Sequence, residues 1–318
     1  MVRDELATLT THSNCTMSHF TVDESIACCR LVELALREDI GPTGDRTSEA
    51  TIPANQHGQA VFVARTPGVL AGLPAAQLVV AAVAAELHLE FHVQDGATLE
   101  RGMKLATIRG PLRALLIAER TALNFLQRLS GVASLTRKYV DAVAGLNAHV
   151  LDTRKTTPGW RLLEKYAVRM GGGINHRIGL YDGILIKDNH LAGYPDPKTA
   201  VVQAVNAARQ YPGNAGLPVE VEVDTLEQLE QALTVLPEIV LLDNMTLDQL
   251  RQAVARRNAV APGVQLEASG GVTLSTIRAI AETGVDRISV GALTHSAPAL
   301  DIALDYEAEH HGSSEPRP

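Results

Sequence analysis

Val219-Glu-Val-Glu-Val-Asp224, Thr225 to Leu236, Ile239-Val-Leu-Leu-Asp243: this stretch reads as strand, helix, strand, with an acid closing each strand. The two apolar runs are too short for helices. The segment between them is read as an amphipathic helix. The same design recurs on both sides. Val150-Leu-Asp-Thr-Arg-Lys155 and Gly183-Ile-Leu-Ile-Lys187 precede it, while Val264-Gln-Leu-Glu-Ala-Ser-Gly-Gly271 and Arg287-Ile-Ser-Val-Gly-Ala292 follow. Helices are predicted over 160–170, 197–210, 225–236, 246–257 and 273–284. Strands alternating with helices give a β/α barrel, whose chemistry gathers at the carboxyl ends of the strands. Six strands fall short of eight, so the barrel is either incomplete or has a cryptic early strand.

The 318 residues exceed one small domain and fit a barrel with a smaller companion. A helix is predicted from a Thr21-Val-Asp-Glu24 capping box to about Glu38, then loop to Pro53. Strands at 60–64, 87–93 and 104–108, with a helix at 75–86, make a small α+β unit. A long helical stretch, Leu112 to Val143, follows; Ser130-Gly131 is expected to interrupt it where the chain enters the barrel. The division is 1–20 a disordered tail, 21–130 the first domain, 131–293 the barrel, and 294–318 a segment packing back onto the first domain with a disordered end.

Composition excludes several classes. A net charge of −8 gives nucleic-acid or membrane-surface binding no global electrostatic support. The most apolar window, Ala75 to Leu89, is too short to span a bilayer. Cys15, Cys28 and Cys29 form no disulfide framework, which fits a cytoplasmic protein. From Asp152 to Lys187 the balance reverses to seven cations against three anions, which points to a small anionic ligand. Arg161, Lys165 and Arg169 are assigned to a solvated helix face; the remaining cations carry the argument.

Arg154 and Lys155 pair a planar fork with a point charge, suited to a carboxylate and a phosphate oxygen. Gly171-Gly-Gly-Ile-Asn-His-Arg177 sets His176 and Arg177 behind a run that lets backbone approach a ligand. Lys187 could form a Schiff base or hold phosphate. Glu222 and Asp243 end consecutive strands and suit Mg²⁺ held through water, or a developing cationic carbon. Glu220 is expected to point the other way. Ser269-Gly-Gly271 and Val290-Gly-Ala292 close the last two strands, where barrels often bind phosphate.

Taken together, these segments resemble quinolinate phosphoribosyltransferases. The likeness runs through Ala118-Glu-Arg-Thr-Ala-Leu-Asn124, Asp152 to Thr156, Gly171 to Arg177, Ile186 to His190, Val221 to Asp224, Leu241 to Asn244, Ser269 to Gly271 and Val290 to His295. It implies an incomplete (β/α) barrel with an N-terminal open α/β sandwich, in a homodimer or larger assembly with shared sites. It also implies the substrates quinolinate and phosphoribosyl pyrophosphate, with Mg²⁺ as cofactor. By the same resemblance Arg154, His176, Arg177 and Lys187 hold the quinolinate carboxylates, with Arg120 of a neighbouring subunit. Lys155 meets the phosphoribosyl diphosphate, Glu222 and Asp243 face ribose and metal, Ser269, Gly270, Gly271 and Gly291 with neighbours Val290 and Ala292 bind the 5′-phosphate, and Thr153 and His295 complete the substrate-binding set. The catalytic set is Lys155, Lys187, Glu222 and Asp243. The competing readings are a Schiff-base aldolase on Lys187, a biotinyl- or lipoyl-type carrier built around Lys104, and a related phosphoribosyltransferase-like protein of metal transport.

Overall fold

The structure, a computed structural model, describes residues 20–214 and 216–307. The expectations for the tails before Phe20 and after Glu307 lie outside these residues. Phe20, counted with the tail, is in fact core: its ring meets Tyr166 edge-on at 4.7 Å between centroids.

The first unit is a four-stranded antiparallel sheet packed on helices. Its strands are β1 (His57–Ala64), β3 (His88–Phe91), β5 (Lys104–Pro111) and β12 (Ile302–Glu307), in the order β12-β1-β5-β3. The short pair β2 (Gly68–Val69) and β4 (Thr98–Leu99) stands apart. The expected capping box is present: Thr21 N–H donates to Glu24 at 2.8 Å and Glu24 N–H to Thr21 Oγ1 at 3.2 Å, opening the helix Val22–Ile40. Asp95 accepts from the N–H groups of Gly72 and Leu73 at the start of helix Leu73–Val83, and from Tyr166 on the barrel, tying the two units together.

The second unit is the six-stranded parallel sheet: β6 (His149–Leu151), β7 (Ile184–Ile186), β8 (Val219–Val223), β9 (Ile239–Asp243), β10 (Gln265–Ser269) and β11 (Arg287–Ser289), ordered β6-β11-β10-β9-β8-β7. All six coincide with the six apolar runs. The sheet does not close, because β6 and β7 are both edges. Its strands are covered on both faces, as parallel sheets require, so β8 is buried at all five positions. Val219, Val221 and Val223 join the core, and the alternate residues face the barrel interior.

Two expectations are corrected. Ser130-Gly131 does not interrupt the long helix, which runs unbroken from Leu112 to Ala142. Ser130 is a packing residue, its Oγ accepting from Ala71 N–H at 3.0 Å and donating to Ala71 C=O at 3.1 Å. Lys165 does not lie on a solvated face. It is wholly buried and paired with Asp152, while Arg161 donates to Ile178 C=O and Arg169 reaches Glu24 and Asn175.

Candidate active site

Alternation along the strands stacks the barrel interior in layers. Glu220 and Glu222 face inward from β8, Ile239, Leu241 and Asp243 from β9, Glu267 and Ser269 from β10, and Arg287 and Ser289 from β11. Residues two apart on a strand share a face, so Glu220 points inward beneath Glu222, not away from it. The register sets Leu241 between Glu222 and Glu267, with Asp243 beside Ser269 one step nearer the carboxyl ends.

Above these layers opens a cleft of about 540 Å³. Thr153, Arg154, Lys155, His176, Arg177, Lys187, Glu222, Asp243, Ser269, Gly270 and Gly271 all line it, so six separate segments meet in one place. Lys187 is ion-paired with Glu222, whose side chain is buried. Asp243 accepts from Asn244 at 2.6 Å. The buried Nε of Arg154 has no hydrogen-bond partner, an unmet donor at the cleft wall. Gly270 has φ +96°, and a Cβ there would lie 2.1 Å from Asn244 Oδ1. That turn therefore requires glycine.

The remaining expected residues sit elsewhere. Val290 is buried, its N–H donating to Leu151 C=O at 2.8 Å. Gly291 packs on Lys155, and Thr294 Oγ1 donates to Lys155 C=O at 2.7 Å, so the Gly291–His295 turn shapes the cleft rim from behind. Ala292 opens that short helix, and His295 bonds to Ser296 at 2.6 Å. Arg120 is exposed on the long helix and does not reach the cleft of its own chain. Leu185, Leu241, Asn244, Glu267 and Ser289 line the cleft but escaped the sequence reading. The period of two from Asp243 and Ser269 was the available signal for Leu241 and Glu267.

Beneath the cleft lies a buried charged cluster. His176 Nε2 is 3.2 Å from Glu220 and 3.4 Å from Glu267, and Arg287 Nε is 2.7 Å from Glu267. Burial opposes a charge on His176, but the two carboxylates outweigh it and raise its pKa to about 9. Burial pushes Glu220 up, while His176 and Arg287 hold Glu267 below the usual range against its own burial. Arg177 N–H points at His176 Nδ1 at 2.8 Å, which favours a ring proton on Nε2, facing the acids, and works against a second proton on Nδ1. The three ligand-type atoms lie within 4.8 Å of one another. Arg287 already neutralises one acid, so the cluster is a charge-paired lattice and not a metal centre.

Comparison with known proteins agrees with this geometry. Residues 45–130 match the quinolinate phosphoribosyl transferase N-terminal domain, and residues 132–305 its C-terminal domain. The chain belongs to the quinolinate phosphoribosyltransferase family. It is 48% identical over 276 residues to nicotinate-nucleotide pyrophosphorylase (carboxylating) of Mycobacterium leprae, covering 86% of this chain and 95% of that protein. A quinolinate phosphoribosyltransferase (decarboxylating) of Nicotiana tabacum is 41% identical over 297 residues, covering 88% and 82%. The structure of the nicotinate-nucleotide pyrophosphorylase from Francisella tularensis superposes with a TM-score of 0.82 at 37% identity, over 92% of this chain and all of that one.

Proposed function

We infer that this enzyme transfers the phosphoribosyl group of phosphoribosyl pyrophosphate to the ring nitrogen of quinolinate, releasing pyrophosphate and CO₂ and forming nicotinate mononucleotide. Family membership supports the reaction, and the cleft supports the assignment of roles. One observation carries that assignment: four cations, Arg154, Lys155, Arg177 and Lys187, share a single cleft with Glu222 and Asp243.

Arg154, Arg177 and Lys187 hold the two carboxylates of the pyridine, with His176 at the floor. Lys155 and the Ser269–Gly271 turn take the phosphate groups. Departure of pyrophosphate builds positive charge at C1 of the ribose, which Glu222 and Asp243 stabilise. Once ribosylated, the ring nitrogen is cationic. The C–C bond to the adjacent carboxylate then breaks, its electron pair stays on the ring carbon, and a proton replaces CO₂ there. The cationic nitrogen stabilises that pair, so no separate decarboxylation cofactor is required.

Two carboxylates on adjacent strand tips fit a hard divalent cation. Glu222 and Asp243 would hold Mg²⁺ through water, and the ion would offset charge on the leaving diphosphate. The test is release of labelled CO₂ from 2-carboxyl-labelled quinolinate. It is expected to require phosphoribosyl pyrophosphate, to stop on chelation and to resume with Mg²⁺; CO₂ release without the sugar donor would overturn the order of steps.

The protein acts as a homodimer or larger assembly, and Arg120 serves a neighbouring subunit's site. Its exposure outside its own cleft supports this, as does a nearby apolar depression formed by Leu112, Leu115, Leu116, Leu304 and Tyr306. Random mixing of Arg120→Ala with Glu222→Gln protomers should rebuild one intact site in each mixed dimer and restore about a quarter of wild-type activity. Proven mixed dimers without activity would refute sharing. No helix among the described residues is long and apolar enough to cross a membrane. Cys28 and Cys29, both free thiols, support a reducing, cytoplasmic location.

A further inference from the structure

Residues 175–183 lie in the gap between β6 and β7, where a closed barrel would carry more wall. Ile174 still pairs with β6, its N–H donating to Val150 C=O at 2.9 Å. Beyond it, among the described residues, no main-chain group of 175–183 hydrogen-bonds to the sheet backbone. Side chains take over that task. Asp152 accepts from His176 N–H at 2.9 Å and from Asn175 Nδ2 at 2.6 Å. Lys165 donates to His176 C=O at 2.9 Å and to Asp152. The His176 ring is gripped from the opposite side by Glu220 and Glu267.

Two cleft cations hang on this frame. Arg154 follows Asp152 by two residues, and Arg177 follows His176 directly. Burial first, and the neighbouring charge of Arg154 second, push the pKa of the Arg177 guanidinium down, so the two cations repel across the cleft. Burial pushes Asp152 up and Lys165 down, each opposed by the other's charge. A buried ion pair of this kind contributes little net stability compared with an apolar replacement; its use lies in fixing geometry.

We propose that Asp152, Lys165, Glu220 and Glu267 are positioning residues that set the separation of Arg154 and Arg177, and with it the preference of the cleft for two carboxylates on adjacent ring carbons. The proposal rests on the reading that Arg154 and Arg177 hold the quinolinate carboxylates. Charged side chains here stand in for the missing barrel wall and make the substrate-binding cations a fixed caliper.

The experiment compares Lys165→Met and Glu267→Gln with Arg177→Ala and wild type. Steady-state kinetics are combined with inhibition by phthalate (adjacent carboxylates on benzene) and isophthalate (carboxylates one carbon further apart). In both frame variants the KM for quinolinate should rise about tenfold, while kcat and the KM for phosphoribosyl pyrophosphate stay within about threefold. The wild-type preference for phthalate over isophthalate should shrink by a similar factor. A merely structural role would not alter that ratio. Folded variants with the wild-type ratio and quinolinate KM would overturn the proposal, as would a loss confined to kcat. Should Lys165→Met fail to fold, Glu267→Gln, which keeps the side-chain shape, decides alone. If Arg177→Ala leaves the quinolinate KM unmoved, the underlying assignment of that arginine fails instead, and the caliper falls with it.

Discussion

Glu222→Gln is expected to lower kcat about a hundredfold or more while both KM values move only a few-fold. The amide has nearly the carboxylate's shape, so β8 has no steric reason to shift. What disappears is one negative charge in a desolvated cleft, where charge acts more strongly than in water. The sugar carbon becomes positive only as pyrophosphate leaves, so the loss falls on the transition state more than on ground-state binding. A competing effect is the release of Lys187 from its ion pair. Its side chain is 45% exposed, so water readily solvates the freed ammonium and the cost to stability stays small. The measurement is kcat with both substrates saturating, alongside a thermal melt of the variant. A pure KM effect in a folded protein would show that Glu222 binds substrate without serving the developing charge.

The strands of the barrel were legible because a parallel sheet buried on both faces leaves continuous apolar runs, and because each run here stops at a charge or a glycine. Convergence of their tips in one cleft then followed from the fold. Lys165 was misread for a definite reason. Arg161, Lys165 and Arg169 recur every four residues and make a polar stripe, which usually faces water. In this chain Arg161 and Lys165 instead donate to the backbone of Ile178 and His176, which lacks sheet partners, while Arg169 reaches the side chains of Asn175 and Glu24. Glu267 was hidden in plain alternation two residues before Ser269. β12 escaped because its partner β1 lies some 240 residues away, as in the pair Phe62 and Leu304, and pairing over that separation leaves no local signature. The placement of Arg120 outside its own cleft is not local information either, since it depends on how copies of the chain associate.

Gly131→Ala is expected to destabilise the protein by about 3 kcal/mol or more, or to prevent folding altogether. Local propensity argues the opposite: alanine in a helix interior gains about 1 kcal/mol over glycine. Packing reverses the sign. A Cβ at this position would sit 2.0 Å from the carbonyl oxygen of Pro298 and 3.1 Å from Ala299 Cα. Those are backbone atoms, and they cannot swing aside as the end of a side chain could. The segment is also pinned on both flanks, by Arg128 donating to Ala297 C=O at 3.0 Å and by Leu300 N–H donating to Gln127 C=O at 2.9 Å. Relief would require lifting the crossing strap from the helix, which would drag β12 out of register with β1 and loosen the first sheet. Gly263→Ala supplies the contrast, since nothing lies within 4 Å of its added methyl group and it should change stability by no more than about 0.5 kcal/mol. Thermal unfolding of the two variants side by side reads the difference. A Gly131→Ala protein melting at or above the wild-type temperature would mean that the return segment does not cross the long helix at this point.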